Sequence, residues 1–120
     1  MFTGSTSEKI NLPSLLPIPF GGITSRPLAK MPGLKQVLFV MDKDAVFEEH
    51  TSSHAAIVQV VSGRIDFDLE GVTHNLVTGD WLAMPAKAPH ALRALEPSTF
   101  TLTLATEGTP HASAAGSAGL

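Results

Sequence analysis

Five histidines, at positions 50, 54, 74, 90 and 111, are the side chains in this 120-residue sequence best suited to hold a metal ion or move a proton near neutral pH. There is no cysteine. Disulfides, thiolate nucleophiles and cysteine zinc sites are therefore excluded, and a metal would have to use imidazole, carboxylate, amide or water ligands. Two histidines stand out by position. His50 ends the run AVFEEH, and His90 opens an apolar stretch directly after the turn Pro85-Ala86-Lys87-Ala88-Pro89. If both runs are strands of one barrel, their imidazoles meet at its mouth, and such a pair suits a divalent ion of the zinc, iron, nickel or manganese group. The plainer alternative is that each ring only satisfies a backbone carbonyl at a strand end. His74, in a hairpin arm after Gly71, and His111, near the C-terminus, read as surface residues.

Other chemistry is poorly provided for. Glu48 and Glu49 are adjacent, so on a strand their carboxylates face opposite ways and cannot act together on one substrate. Ser52 and Ser53 lie near His54 without an orienting carboxylate or oxyanion hole, which a serine nucleophile requires. No glycine-rich loop of the kind that cradles phosphate is present.

The elements that must position the histidines read as strands. Apolar residues come in short runs separated by turn residues: Lys35 to Met41, Ala45 to Glu49, Ala56 to Val61, Arg64 to Leu69, Thr73 to Val77, Asp80 to Met84, His90 to Leu95 and Thr99 to Ala105. This spacing is that of a β-sandwich or barrel. Ile65, Phe67 and Leu69 alternate with Arg64, Asp66 and Asp68, the period of a half-buried strand. Turns fall at Asp42-Lys43-Asp44, Ser62-Gly63, Glu70-Gly71 and Thr78-Gly79-Asp80. Trp81, Met84, Phe47, Phe67 and Phe100 are expected in the core or the pocket wall, giving a mostly apolar cavity.

Before the strands, residues 1–23 hold Pro13, Pro17 and Pro19 and end near Phe20-Gly21-Gly22, which reads as an extended arm. After them, residues 106–120 form a Gly/Ala/Ser-rich stretch with nothing to bury, read as a disordered tail. One barrel domain, residues 24–105, lies between. Eight Lys and Arg against eleven Asp and Glu leave a net charge of -3 and no basic stripe, so nucleic acid is not an expected partner. No apolar run is long enough to span a bilayer and the first residues lack a secretory pattern, so a cytoplasmic protein with no membrane partner is expected.

The two histidine runs resemble the motifs of the small single-domain cupins. The family's first motif runs Gly, five residues, His-x-His, three or four residues, Glu, six residues, Gly, and here its first histidine falls on His50 and its final glycine on Gly63. The second runs Gly, five residues, Pro-x-Gly, two residues, His, which Gly79 to His90 follows with Lys87 in place of glycine. The resemblance covers about residues 24 to 105 and implies an all-β, antiparallel double-sheet jelly-roll barrel. For the metal site the match is poorer. The second histidine falls on Ser52 and the glutamate on Ala56, while the opening glycine is Asp44.

Two residues stand near enough in sequence to compensate. His54 lies two positions past Ser52 in a segment that must turn. Gln59 is a polar residue in the apolar run AIVQVV, although alternation with Val58 and Val60 points it to the other face. The expected metal ligands are therefore His50 and His90, with His54 and Gln59 as further candidates. Cupins that keep the full ligand set include dioxygenases, isomerases and decarboxylases. The resemblance thus implies a metal-binding cupin, an oxygenase or isomerase acting on a small organic molecule, or else a non-catalytic small-molecule-binding or sensor cupin without metal. It also implies a homodimer, formed by packing sheets or exchanging N-terminal strands.

Overall fold

A computed structural model describes residues 1–106; the expected tail from residue 107 onward, with His111, lies outside them. The described residues form nine strands in chain order: β1 Ile23–Met31, β2 Leu34–Met41, β3 Val46–His50, β4 Ala56–Ser62, β5 Arg64–Leu69, β6 Val72–Val77, β7 Trp81–Met84, β8 His90–Ala94 and β9 Ser98–Ala105. They form two antiparallel sheets, in the orders β1-β2-β9-β4-β7 and β3-β8-β5-β6. Together these make the expected double-sheet jelly roll. No helix among the described residues is long and apolar enough to cross a membrane.

Period-two alternation decides what goes between the sheets. Ile65, Phe67 and Leu69 of β5 face Val58, Val60 and Phe100 of the other sheet in one buried cluster that also takes in Met41, Met84, Leu92 and Ala94. Phe67 keeps 1% of its surface exposed, and burying a side chain of that size stabilises the fold by roughly 1.5–3 kcal/mol.

β1 is the strand that the pattern of apolar residues does not announce. It carries Pro27, and its pairing with β2 slips between Pro27 and Ala29. The slip is a bulge, which breaks the alternation and removes the strand's signature.

The N-terminal arm is not free. Phe2 bridges Ala29 and exchanges backbone hydrogen bonds with Leu28 and Lys30, both at 2.8 Å. A 3-10 turn at Leu12–Ser14 is capped by Asn11. Around it Leu12, Leu15 and Leu16 cover Leu28, Leu38 and Val40, a second apolar cluster on the outer face of the five-stranded sheet. Where the arm enters β1, the Asp42 carboxylate accepts hydrogen bonds from the backbone N–H groups of Gly21 (2.7 Å) and Lys43 (2.8 Å). These bonds hold its pKa below the ordinary carboxylate value.

The turns keep glycine-like backbone even where glycine is missing. Gly63 has φ +102°, and a Cβ there would lie 2.2 Å from Ser98 Oγ and 2.7 Å from Pro97 O, so no other residue fits without displacement. Asp44 and Lys87, at the two motif positions where cupins place glycine, have φ +68° and +67°. The left-handed conformation is retained there without the residue that adopts it most easily.

Candidate functional site

The site lies where β3 ends and β8 begins. The two strands pair antiparallel, with Val46 opposite Arg93, Phe47 opposite Leu92 and His50 opposite His90. Two residues lie between Phe47 and His50, but only one lies between Leu92 and His90. β3 thus carries one extra residue, a bulge, which turns His50 onto the face that Phe47 occupies. Without it, alternation would put Glu49 on that face. On β8 no correction is needed, since His90, Leu92 and Ala94 alternate inward.

The result is a pair of imidazoles with ring centroids 4.2 Å apart. His90 is buried and stacks on Phe67 at 6.0 Å and 8°, while His50 is exposed at the rim with Phe47 tilted against it at 6.1 Å. Each Nδ1 lies close to the carbonyl oxygen two residues back, at 2.8 Å for His50 and Glu48 and 2.9 Å for His90 and Ala88. A carbonyl can only accept, so in the neutral ring each Nδ1 bears the proton and each Nε2 is left with a lone pair. No buried side-chain nitrogen or oxygen among the described residues lacks a hydrogen-bond partner. His90 Nε2 makes no such bond, so it is not sealed in protein and opens onto the cavity between the sheets.

That cavity has a volume of about 50 Å³. Phe39, Phe47, Phe67 and Phe100 line it, with Val58, Met84, Leu92 and Leu102 completing the wall. Phe39 stacks on Phe100 at 5.1 Å and packs edge-to-face with Phe47 at 5.4 Å. Among the described residues, the imidazoles are the only polar side chains in the lining. Two loops form the rim, residues 51–55 and 85–89, and a 2.7 Å hydrogen bond from Lys87 N–H to Ser52 O joins them.

The remaining candidates lie elsewhere. Gln59 is exposed on the outer face of β4, opposite Trp81 of β7, so its amide does not reach the cavity. The strand's alternation puts Val58 and Val60 inward instead. His54 is half-buried in the rim loop, its backbone N–H bonded to Ser52 Oγ, and is not among the cavity-lining residues. Trp81, expected in the core or the pocket wall, is 58% exposed. It lies three residues from the inward Met84, a spacing that a straight strand places on opposite faces. His74 is half-buried on β6, paired with Phe67.

The two vacated motif positions have been absorbed into structure. Ala56 is buried in the core between Met84 and Leu104, and the hydroxyl of Ser52 caps the turn to His54.

Known proteins share this fold. The sequence model of the family described as the cupin domain, Cupin_2, matches residues 37–107. The chain is a cupin. Among solved structures, the cupin resembles KdgF from Halomonas sp. at 29% identity over 86% of this chain and 96% of that one, with a TM-score of 0.71. It also shares its fold with the conserved SPY1581 protein of unknown function from Streptococcus pyogenes (24% identity, 91% and 97% coverage, TM-score 0.79). An RmlC-like cupin from Shewanella frigidimarina NCIMB 400 is similar as well (22% identity, 84% and 93% coverage, TM-score 0.71). No curated protein matches.

The donor set of this cupin fits a metal in kind but not in number. Two neutral Nε2 atoms, each oriented by a bond from the other ring nitrogen, are what ligating histidines look like. Stable catalytic sites add at least a third protein ligand. Among the described residues no group of three or more His, Cys, Asp or Glu side chains is placed to hold an ion.

Proposed function

We propose that this cupin binds a small organic molecule in the cavity between its sheets, with the His50–His90 pair as the polar anchor. The observation that carries this reading is the pair itself: two imidazoles from different strands, 4.2 Å apart, over a wall of otherwise apolar side chains. Small-molecule sites have this composition, apolar surface for affinity and a few placed polar groups for orientation. A cavity of about 50 Å³ admits only a few atoms, so the bulk of a larger ligand would rest on the rim beside the exposed His50.

A thermal-shift screen of small molecules tests the reading, run on the wild type and on His50→Ala. Ligands that stabilise the wild type and not the variant support it, since selective binding to the folded state raises the midpoint. Ligands that stabilise both equally would place binding elsewhere and overturn it.

A second reading is favoured by the Nδ1 bonds. In it a divalent ion of the zinc, iron, nickel or manganese group sits on the two Nε2 atoms, with water and ligand completing its coordination, and serves an oxygenase or isomerase. Metal analysis of untagged protein decides between the two. Near-stoichiometric metal in the wild type, lost in both His50→Ala and His90→Ala, supports the second reading, and none in the wild type removes it. The homodimer is likewise a proposal, tested by light scattering, with a mass twice the 12.6 kDa of one chain expected.

A further inference from the structure

With both imidazoles neutral, every polar hydrogen in the cavity lining is already committed. The Nδ1 protons of His50 and His90 go to Glu48 O and Ala88 O, and the other eight lining residues are Phe, Val, Leu and Met, which carry no side-chain donor. What the lining offers a guest is two imidazole lone pairs, the Met84 thioether and four phenyl rings, none of which has a proton to donate. A carboxylate or phosphate entering this space would lose its hydration and meet no proton on the neutral rings. A group that brings its own protons, and a positive charge, meets acceptors on every polar atom.

Resting on the small-molecule reading above, we propose that the cavity takes the ammonium head of a small primary amine, with N–H groups donated to both Nε2 atoms and the carbon chain leaving over His50. An ammonium has enough hydrogens for both imidazoles, whereas an alcohol has one. The volume of about 50 Å³ fits a head group with a short carbon stem and not a whole larger ligand.

The test is a titration followed by NMR of the imidazole nitrogens with four probes of similar size: propylammonium, propan-1-ol, propanoate and tetramethylammonium. Propylammonium is expected to shift both Nε2 resonances and to bind about tenfold or more tightly than propanoate, as charge-assisted hydrogen bonds allow. Tetramethylammonium, a cation with no proton to donate, is expected to bind more weakly than propylammonium. His50→Ala, a change at an exposed position, is expected to cost propylammonium about tenfold in affinity. Propanoate or propan-1-ol binding as tightly as propylammonium would overturn the amine assignment and leave the pocket reading standing. Tetramethylammonium binding as tightly would overturn the proposed N–H bonds. If none of the four perturbs either histidine in the folded protein, the amine assignment fails, while the thermal-shift comparison on His50→Ala still judges the pocket separately.

Discussion

At the end of the barrel away from the cavity, Ser98 Oγ accepts the Arg64 N–H at 3.0 Å and donates to Glu96 O at 2.8 Å. The Leu95 N–H bonds Arg64 O, and Gly63 donates to Thr78 Oγ1. Each of these groups ends on another protein group, in contact too close to admit a methyl at Gly63. At the cavity end the bonds stop one atom short, because each imidazole ties one nitrogen to the backbone and keeps the other. Both ends are built on strand termini and tight turns. The difference lies in whether the last lone pair is used internally, and that separates a structural end of the barrel from the one proposed to bind.

The sharpest way to break this contrast is at the closed end. Gly63→Ala combines left-handed strain with overpacking against Ser98 and Pro97, each worth about 1–3 kcal/mol, so a loss of about 3–5 kcal/mol is expected in urea denaturation. An unchanged midpoint would mean that this end yields as easily as the other. At the rim, Lys87→Gly should stabilise by about 0.5–1 kcal/mol, because it removes a left-handed strain while keeping the backbone N–H bonded to Ser52. A loss of stability instead would show that the lysine side chain holds the rim.

His50→Ala should leave the midpoint within about 0.5 kcal/mol of the wild type while abolishing ligand-dependent shifts, as expected for an exposed side chain whose free nitrogen serves only a guest. A large destabilisation would move His50 to the structural side of the comparison.

The smallest effect appears only in acid. The Asp42 pKa is lowered from 3.8 by its bonds from Gly21 and Lys43. Its contribution is therefore fully present above the unfolded value and lost as pH falls through the folded one. Below about pH 4 the wild type should lose stability more steeply than Asp42→Asn; parallel curves would show that the clamp on the arm contributes nothing.

Much of the fold is legible because alternation is a local property. Ile65, Phe67 and Leu69 declare the face of β5, and Val58 and Val60 send Gln59 outward by the same rule. Read with equal strictness, that rule also separates Trp81 from Met84. What alternation cannot carry is a break in its own period. The bulge before Ala29 hides β1, and the bulge before His50 is what turns that ring inward. A motif spacing gives the outcome of the second without its cause. The left-handed backbone at Asp44 and Lys87 is equally silent in those residue types and visible only through the positions they share with other cupins.

The single backbone bond between Lys87 and Ser52 joins two loops that each cross from one sheet to the other. An insertion in either loop would have to be matched by a change in the other or break that bond. The rim can therefore vary more freely in side chains than in length, and relatives are expected to differ first in what those two segments display.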